Sequence, residues 1–422
     1  MLSRSFIFGL VVLLILSLAL RSPLLFLLAM LLVFVAGASL LWDRYALSGL
    51  SYARQFGSQR LFCGEDTDLW IEIVNAKPLP LAWLKAQDEF PDVVTIDKAK
   101  LAPAGEPHRR LLTNLFNVRW YERVRRHYHL HTTRRGVFDF GPVALTSGDI
   151  FGFRAHRLEL NHRHTLTVYP KVVPFQNLNL QPARPLGENN TLYRLIADPL
   201  KLAGVRAYLP GDNSRYIHWK ATARRGALQT KQFDPSASHQ LFICLNMQSL
   251  ENHYGGILVD ELETAIVATA SLAHAAFEAR LPIGLLSNGT LRDTDGLARL
   301  PTSRHRDHEL RLLDLLAQIT YFTNVHFDQL LQTEASRLPY GATLIIITTL
   351  LSDSIQTQLL NLRRAGHPIA VILVDTQYNA QRSQPPRASA PEHQRSGNHP
   401  TTQLPIYHLT QNWTDLEAIK LD

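Results

Sequence analysis

Leu344-Ile345-Ile346-Ile347-Thr348-Thr349 is an apolar, β-branched run with the composition of a strand that is buried on both faces. Leu241–Leu245 and Ile369–Val374 have the same character, and Pro282–Leu286 and Ile406–Leu409 predict two further strands. Apolar residues recur between them with helical spacing, over Asp260–Ala279, Glu309–Ile319, Phe327–Arg337 and Ser354–Arg364. Alternating strands and helices predict a doubly wound, mostly parallel α/β domain over residues 237–422.

Residues 48–180 follow a different rhythm, because short β-like runs recur there with turn residues between them. The runs are Leu69–Val74, Val93–Ile96, Leu111–Val118, Val124–Thr132, Gly136–Phe140, Val143–Thr146 and Leu166–Tyr169. Such spacing predicts an antiparallel, sandwich-like β domain. Gln181–Asn190, rich in Pro, Gly and Asn, predicts a linker. Residues 381–402, dense in Pro, Ser, Arg and His, predict a disordered insert in the α/β domain.

The N-terminal residues 1–45 predict a transmembrane helical hairpin. Ser5–Leu20 and Leu24–Trp42 are apolar runs without a charge, and Arg21-Ser22-Pro23 separates them. The second run is long enough for a hydrocarbon core of about 30 Å, whereas the first is short. The alternative is a cleaved signal peptide followed by one anchor, although Leu18–Arg21 makes a poor cleavage site.

Basic residues predict the orientation of this hairpin. Arg4 precedes the first run, and Arg44, Arg54 and Arg60 follow the second, whereas the turn contains Arg21 alone. The positive-inside rule therefore places both termini in the cytoplasm, with the bulk of the chain on the cytoplasmic face of a bacterial inner membrane.

Overall composition is that of a globular protein. The 422 residues are 46% hydrophobic and 19% charged, enough for two or three domains. The formal net charge of +7 is compatible with binding to nucleic acid, with attraction to an anionic membrane face, or with no specific partner. Six arginines suggest nucleic acid, but they alternate with Tyr and Val, which favours a solvated sheet face: Arg119, Arg123, Arg125, Arg126, Arg134 and Arg135. We therefore expect no nucleic-acid partner.

Cysteine usage and catalytic motifs give little chemistry. Cys63 and Cys244 are the two cysteines, and each lies in an apolar run, so both are predicted to be buried free thiols. The sequence has no Gly-x-x-x-x-Gly-Lys-Ser/Thr loop and no Gly-x-Ser-x-Gly elbow. We expect the protein not to be an enzyme.

The most specific motif lies in residues 190–235, the segment that joins the two soluble domains. Residues 206–224 read R-A-Y-L-P-G-D-N-S-R-Y-I-H-W-K-A-T-A-R. Pro210-Gly211-Asp212 predicts a turn, and Asp212 or Ser214 could cap the helix that follows. On that helix Arg215, Trp219 and Thr222 or Ala223 would share one face, with Arg215 stacked on Trp219 or paired with Asp212. Ala227–Phe233 is predicted to enter the parallel sheet as a strand.

This run resembles the signature of the "domain of unknown function 58" family, R-x-Y-x-x-G-D-x-x-R-x-I-x-W-x-x-x-A-R, at every fixed position. Arg135–Pro142 and Ser147–Gly152 resemble the strand–turn region that precedes the signature in that family. The resemblance implies a membrane hairpin, a β-rich domain and a C-terminal domain similar to von Willebrand factor A. It also implies partnership with MoxR-type AAA+ ATPases in the assembly or maturation of other proteins, without enzymatic activity.

The resemblance makes the signature side chains the candidate site. They either pack the domains together or bind a partner: Arg206, Tyr208, Gly211, Asp212, Arg215, Ile217, Trp219, Lys220 and Arg224.

Two places could hold a metal ion, and we expect neither to do so. A von Willebrand A domain binds Mg²⁺ through Asp-x-Ser-x-Ser after its first strand, but Asn246, Gln248 and Leu250 occupy those positions. Thr349 replaces the later aspartate, although Asp353 is near. In His127-Tyr-His-Leu-His131 the three histidines share one strand face, but collinear residues about 6.6 Å apart cannot all reach one ion. We expect an exposed face there, with Tyr128 and Leu130 inward, and no cofactor.

Together these features predict a membrane-anchored scaffold or adaptor that binds an AAA+ ATPase or a membrane client and contacts lipid through its helices. An envelope-associated hydrolase with an unrecognised site is the alternative. A third alternative is a solute- or lipid-binding module built on the β domain.

Overall fold

The computed structural model of the chain describes residues 4–97, 99–149, 155–176, 202–208, 217–233, 240–250, 256–339, 342–375 and 404–420. The chain divides into two compact units, Met1–Tyr169 and Pro170–Asp422. The predicted linker Gln181–Asn190 and the predicted insert 381–402 lie outside the described residues.

The first unit begins with two helices, α1 (Arg4–Ala19) and α2 (Pro23–Tyr45). The turn falls where the sequence predicts it, because Arg21 takes a left-handed φ of 45° and Pro23 occupies the first turn of α2. Among the described residues one stretch, Pro23–Trp42, is long and apolar enough to span a membrane, a test that a signal sequence would also pass. This helix could anchor the chain in a membrane. The helix α1, with 16 residues, is shorter than the about 20 residues that a transmembrane helix needs.

The C-terminal end of α2 is fixed to the β-rich part of the same unit. The buried Lys77 ammonium donates hydrogen bonds to the carbonyl oxygens of Tyr45 and Ser48, at 2.6 Å each, and to that of Ala46. A cation at a helix C-terminus is favoured by the helix dipole and satisfies carbonyls that lack a partner in the helix. Burial nevertheless lowers the pKa of Lys77 to about 8. The Trp42 indole N–H adds a bond of 2.9 Å to the carbonyl of Pro80.

In the described residues of this unit twelve strands follow, and they form three sheets. The strands are β1 (Leu50–Phe56), β2 (Arg60–Phe62), β3 (Asp66–Asn75), β4 (Leu81–Pro91), β5 (Val94–Ile96), β6 (Leu101–Pro103), β7 (Arg109–Val118), β8 (Arg123–Thr132), β9 (Gly136–Phe140), β10 (Val143–Gly148), β11 (Ala155–Leu160) and β12 (His164–Tyr169). Two sheets are antiparallel, with orders β1-β3-β8-β5 and β11-β10-β4-β7-β6, and the third has the order β2-β12-β9. Every strand that the sequence predicted here is present.

The two antiparallel sheets bury alternate residues in one shared core. Leu69, Ile71 and Ile73 of β3 are fully buried, as are Leu84 and Phe90 of β4. Alternation in both sheets places one face of each strand in the core and the other outside. This sheet-rich region therefore has a single hydrophobic core.

A polar cluster interrupts that core. The buried Arg54 guanidinium lies 3.2 Å from the Asp88 carboxylate, and the Tyr52 hydroxyl donates a hydrogen bond of 2.5 Å to the other oxygen of Asp88. Burial raises the pKa of the Asp88 carboxyl to about 6. Arg54 is thus a buried, paired charge and not an exposed one as the predicted orientation requires, whereas Arg44 and Arg60 are exposed.

The second unit contains an α/β region with a seven-stranded sheet. Its strands are β16 (Leu241–Leu245), β17 (Ile283–Leu291), β18 (Thr294–Ser303), β19 (Ile319–Thr323), β20 (Thr343–Thr348), β21 (Ile369–Val374) and β22 (Ile406–Leu409). The order is β18-β17-β16-β20-β21-β22, with β19 paired to β17. The neighbouring pairs β17–β16, β16–β20, β20–β21 and β21–β22 are parallel. Strands β18 and β19 both run antiparallel to β17.

Helices connect these strands as the sequence predicts. They are α4 (Val259–Glu278), α5 (Asp307–Gln318), α6 (Phe327–Glu334) with a 3₁₀ turn (Ala335–Arg337), and α7 (Asp353–Arg364). Ser352 caps α7 by accepting a hydrogen bond from the N–H of Ile355.

The remaining elements of this unit lie outside the large sheet. β13 (Phe175–Gln176) pairs with β23 (Ile419–Lys420), and β14 (Leu202–Ala207) pairs with β15 (Gln229–Phe233), with α3 (Trp219–Arg225) between the latter two in sequence. The prediction that Ala227–Phe233 joins the parallel sheet is therefore wrong. A hairpin with β14 takes up the hydrogen-bonding groups of β15 instead.

The cysteines differ from each other. Cys244 is fully buried in β16, as predicted, and burial raises the pKa of its thiol to about 12. Cys63 is only half-buried, because it follows β2 in a turn, where its thiol lies 3.2 Å from the carbonyl of Thr133.

Candidate functional site

The signature segment forms a hairpin completed by a short helix. In the hairpin, Arg206 of β14 is the backbone partner of Thr230 in β15, and Ile217 makes an isolated antiparallel bridge to the same Thr230. Tyr208, which is half-buried, donates its N–H to the carbonyl of Leu228 at 2.9 Å. The first residue of the motif and Ile217 near its middle therefore both pair with β15.

The helix of the signature begins later than predicted. α3 starts at Trp219, and its cap is His218, whose Nδ1 accepts a hydrogen bond of 3.0 Å from the N–H of Ala221. The prediction that Asp212 or Ser214 caps this helix, with Arg215 on its face, is therefore wrong. Residue 217 is held as a bridge to β15, so the chain turns into the helix only after it.

Three signature residues lie outside the described part of the chain: Gly211, Asp212 and Arg215. The predicted contact of Arg215 with Asp212 or Trp219 stays a prediction.

Side chains of α3 form an exposed, basic surface, which we call the signature surface: Trp219, Lys220, Arg224 and Arg225. Trp219 is 68% exposed, which is unusual for so large an apolar side chain. The described stretches 202–208 and 217–233 contain no acidic residue, and the nearest acidic residues in the sequence are Asp212 and Asp234. The surface combines an exposed aromatic ring with three exposed basic side chains.

A second polar region lies at the carboxyl edge of the parallel strands, and we call it the edge network: Asn246, Asn288 and Thr348. All three side chains are fully buried. Asn246 follows β16, and its amide donates to the Thr348 hydroxyl at 3.0 Å, while its oxygen accepts from the Asn288 amide at 3.1 Å. Sequence reasoning singled out Asn246 but missed Asn288, whose only signal was a polar Ser-Asn pair inside an apolar strand.

The oxygens of this network already have donors. The Asn246 oxygen also accepts the N–H of Gln248 at 3.0 Å, and the Asn288 oxygen accepts the N–H of Met247 at 2.8 Å. The Thr348 hydroxyl donates to the carbonyl of Leu350 at 2.6 Å. Hard cations require oxygen ligands with at least some negative charge, and these neutral groups are committed to one another. The edge network is therefore an uncharged cluster whose side chains are hydrogen-bonded to one another and to the backbone.

A shallow cavity adjoins this edge and is lined by Gln248, Leu250, Ile257, Tyr321 and Phe322, among others. Phe322 is 69% exposed, and the Tyr321 hydroxyl donates to the Glu263 carboxylate at 2.6 Å. Its lining consists of uncharged side chains, which are apolar groups, hydroxyls and the Gln248 amide.

The first unit brings together a set of side chains with metal-ligating chemistry. Ligand atoms of Asp68, His127 and His129 all lie within 4.8 Å of one another. The predicted inward side chains are confirmed, because Leu130 is fully buried and Tyr128 is half-buried against the core. The spacing of the histidines along β8 predicts one row, and nothing in that spacing indicates Asp68 on the neighbouring strand.

The arginines predicted to form a solvated face do not lie on one face. Arg125 lies on the histidine face of β8, over the Trp70 ring at 5.0 Å, and Arg126 lies on the opposite face, over the Phe116 ring at 4.3 Å. Arg135 follows β8 and is buried. The expectation of a uniformly solvated row is therefore wrong at Arg135.

Comparison with known proteins supports the resemblance seen in the signature. Residues 204–383 match the model of the family described as protein of unknown function DUF58. The uncharacterized protein YeaD of Bacillus subtilis (strain 168) is 27% identical over 254 residues, which are 58% of this chain. The match spans 57% of that relative's length.

Solved structures resemble the chain only over short stretches. The CARDB domain of the PF1109 protein of Pyrococcus furiosus, solved with di-metal ions, is 11% identical with a TM-score of 0.19, and covers 28% of this chain and 91% of that chain. The seventh ScaB type I cohesin of Pseudobacteroides cellulosolvens is 10% identical with a TM-score of 0.20, and covers 33% of this chain and 97% of that chain. Scores this low give no support to a shared fold or function.

Proposed function

We propose that this chain is a membrane-anchored adaptor of the DUF58 family that binds a MoxR-type AAA+ ATPase through the signature surface. In this proposal α1 and α2 form a transmembrane hairpin in the bacterial inner membrane, and a β-sandwich and a von Willebrand factor A-like domain lie in the cytoplasm. The family match over residues 204–383 and the anchor candidate Pro23–Trp42 support it.

The observation that carries this proposal is the exposure of Trp219. A signature residue that only packed within its own unit would be expected to bury its ring, yet 68% of Trp219 is exposed. Tryptophan and arginine are the residues most enriched where protein interfaces gain their binding energy. Trp219 with Arg224 and Arg225 is therefore the combination expected of a partner-binding surface.

Charge defines the kind of partner surface. Lys220, Arg224 and Arg225 are exposed, positively charged side chains of α3. An acidic patch on the ATPase would be attracted to them, and such complementarity raises the rate of association and excludes basic partners. Binding should therefore weaken as the salt concentration rises.

Other signature residues support this surface without forming it. Arg206, Tyr208 and Ile217 lie on the backbone ladder that positions β15 and the start of α3. Gly226 ends α3 in the left-handed conformation, with φ 68° and its N–H bonded to the carbonyl of Thr222.

The edge network supports a mechanism that does not depend on Mg²⁺. Its buried amide and hydroxyl groups are paired with one another and with backbone groups, and no carboxylate takes part in the bonds described. The alternative, an envelope-associated hydrolase, stays a prediction. The described side chains of α3 are basic or neutral and include no acid–base pair.

Affinity purification from detergent-solubilised native membranes tests the proposal. The intact chain is compared with Trp219→Ala and with the matched control Phe322→Ala, because Phe322 is an aromatic ring of nearly equal exposure, 69% against 68%. We expect an AAA+ ATPase to co-purify with the intact chain and with Phe322→Ala, and to be lost with Trp219→Ala.

The contrary results are equally clear. If no AAA+ ATPase accompanies the intact chain, the partnership is wrong. If the ATPase is recovered equally with Trp219→Ala, the partnership stands but the signature surface is not where it binds.

A further inference from the structure

Strands β3 and β8 place two histidines and a carboxylate on one exposed face. In their antiparallel register Asp68 lies directly opposite His129, and Trp70 lies opposite His127. Directly opposed residues have Cβ atoms about 5 Å apart, and diagonal neighbours about 7 Å, still within reach of long side chains. Asp68 can therefore reach His129 across the pair and His127 on the diagonal.

We propose that Asp68, His127 and His129 bind a divalent first-row transition metal ion, of which Zn²⁺ and Cu²⁺ are the best fits. The Asp68 Oδ1 atom lies 2.7 Å from Nε2 of His127 and 2.7 Å from Nδ1 of His129. All three ligand atoms lie within 4.8 Å of one another. Ligands of tetrahedral zinc are about 3.3 Å apart, so small side-chain rotations suffice to admit the ion.

The ligand types select the class of ion. Imidazole nitrogen suits Zn²⁺, Cu²⁺ and Ni²⁺, whereas Mg²⁺ and Ca²⁺ require a shell of oxygen ligands. Three protein ligands leave at least one position for water or for a group from another molecule. The exposed side-chain fractions, 43% for His127, 58% for His129 and 39% for Asp68, let an ion enter from solvent.

Neighbouring side chains orient the His127 ring. Trp70 stacks on it, with ring centroids 5.3 Å apart and an angle of 21° between the planes. The Arg125 guanidinium lies over the Trp70 ring, 5.0 Å from its centroid, and donates a hydrogen bond of 3.1 Å to the Gln55 side-chain oxygen. Fixing a ligand ring in this way favours metal binding, since less side-chain freedom is lost when the ion enters.

The third histidine of the row has a different environment. His131 contacts Asp66 through Nδ1 at 2.5 Å and Asp97 through Nε2 at 3.1 Å. Both of its nitrogens are therefore engaged by carboxylates, and it lies beside the proposed site without contributing to it. This arrangement supplies an internal control with the same residue types.

Titration calorimetry with ZnCl₂ on the full-length protein in detergent, carrying no histidine tag, tests this inference. We expect one ion to bind, and we expect His127→Ala and His129→Ala each to weaken binding by on the order of 100-fold. His108→Ala is the matched control, because His108 is also an exposed histidine paired with an aspartate, Asp92, at 3.1 Å. His108→Ala and His131→Ala should bind zinc as the intact chain does.

Asp68→Asn gives a second, nearly isosteric test, and it should also weaken zinc binding. Co²⁺ provides a spectroscopic reading, since a site with nitrogen ligands should give visible absorption that His129→Ala abolishes. The inference is overturned if the intact chain binds zinc only in the millimolar range, or if His127→Ala and His129→Ala both bind it within threefold of the intact chain.

Discussion

The edge network and the signature surface belong to the same unit, yet they are built in opposite ways. Asn246, Asn288 and Thr348 are fully buried and bonded to one another, whereas Trp219 is 68% exposed among cations. The first region lies at the carboxyl edge of the parallel strands. The second lies in the segment that the family motif marks.

This contrast indicates where binding chemistry is available. Buried amides that satisfy each other stabilise one arrangement of the strand ends and leave little capacity for a ligand. Exposed aromatic and basic side chains give up solvent contact only when a partner covers them. Among the described residues of this unit, the α3 side chains are thus accessible to a partner, whereas the amides of the edge network are satisfied within the fold.

The largest effect should be the protection of the Cys244 thiol from chemical labelling. Cys244 lies in β16, two residues before Asn246. Burial raises the pKa of its thiol from 9.0 to about 12, which lowers the thiolate fraction about 1,000-fold at neutral pH. In native protein a thiol reagent should label Cys63 rapidly and Cys244 only as the unit unfolds. Cys63→Ser should remove the rapid phase; rapid labelling that persists in this variant would show that the edge is open.

Asn246→Asp should destabilise the second unit by about 3 kcal/mol or more, because it buries a charge without a counter-ion. Burial would raise the pKa of the new carboxyl, so the loss should be smallest in acid and should grow as pH rises through that pKa. Denaturant unfolding at pH 5 and pH 8 measures it.

The control is Asn324→Asp, the same change at an exposed position, which should stay within about 0.5 kcal/mol. If millimolar Mg²⁺ restored the free energy of unfolding of Asn246→Asp to that of the intact chain, the description of the edge network as an uncharged hydrogen-bonded cluster would be contradicted.

Thr348→Val should destabilise the unit by about 1–3 kcal/mol, because the Asn246 amide and the N–H of Leu350 lose their acceptor while volume is preserved. Thr357→Val, at an exposed hydroxyl of α7, is the matched control and should cost little. Equal losses in the two variants would indicate that the edge network contributes nothing beyond an ordinary surface hydroxyl.

Trp219→Ala should give the smallest change in stability, within about 0.5 kcal/mol, because an exposed ring buries little area in the folded chain. Thermal unfolding of the intact chain and the variant in the same detergent checks this. A loss above about 2 kcal/mol would show that Trp219 packs against the protein, and the signature would then be structural.

Periodicity was sufficient for most of the fold. Buried strands such as Leu344–Thr349 and Ile369–Val374 are continuous apolar runs, and the helices between them keep their spacing, so both could be found locally. β4 (Leu81–Pro91) and β18 (Thr294–Ser303) were missed, because each contains proline or charged residues that weaken a local β pattern.

The sites were harder to predict, because their partners are distant in sequence. Asp68 meets His127 and His129 only through the register of β3 and β8, and Asn288 meets Asn246 only through adjacent parallel strands. The motif located the signature segment, but it could not show that Ile217 is held by β15 and that α3 therefore starts at Trp219. Pairing between strands supplied what local pattern lacked.

Site-specific photo-crosslinking in living cells is the most direct test of the central claim that the signature surface binds the partner. A photoreactive phenylalanine analogue is placed at position 219 or, as the matched exposed aromatic position at the sheet edge, at position 322. We predict a crosslink to an AAA+ ATPase from position 219 and none from position 322. A crosslink to that ATPase from position 322 alone would contradict the account and move the partner to the edge of the sheet.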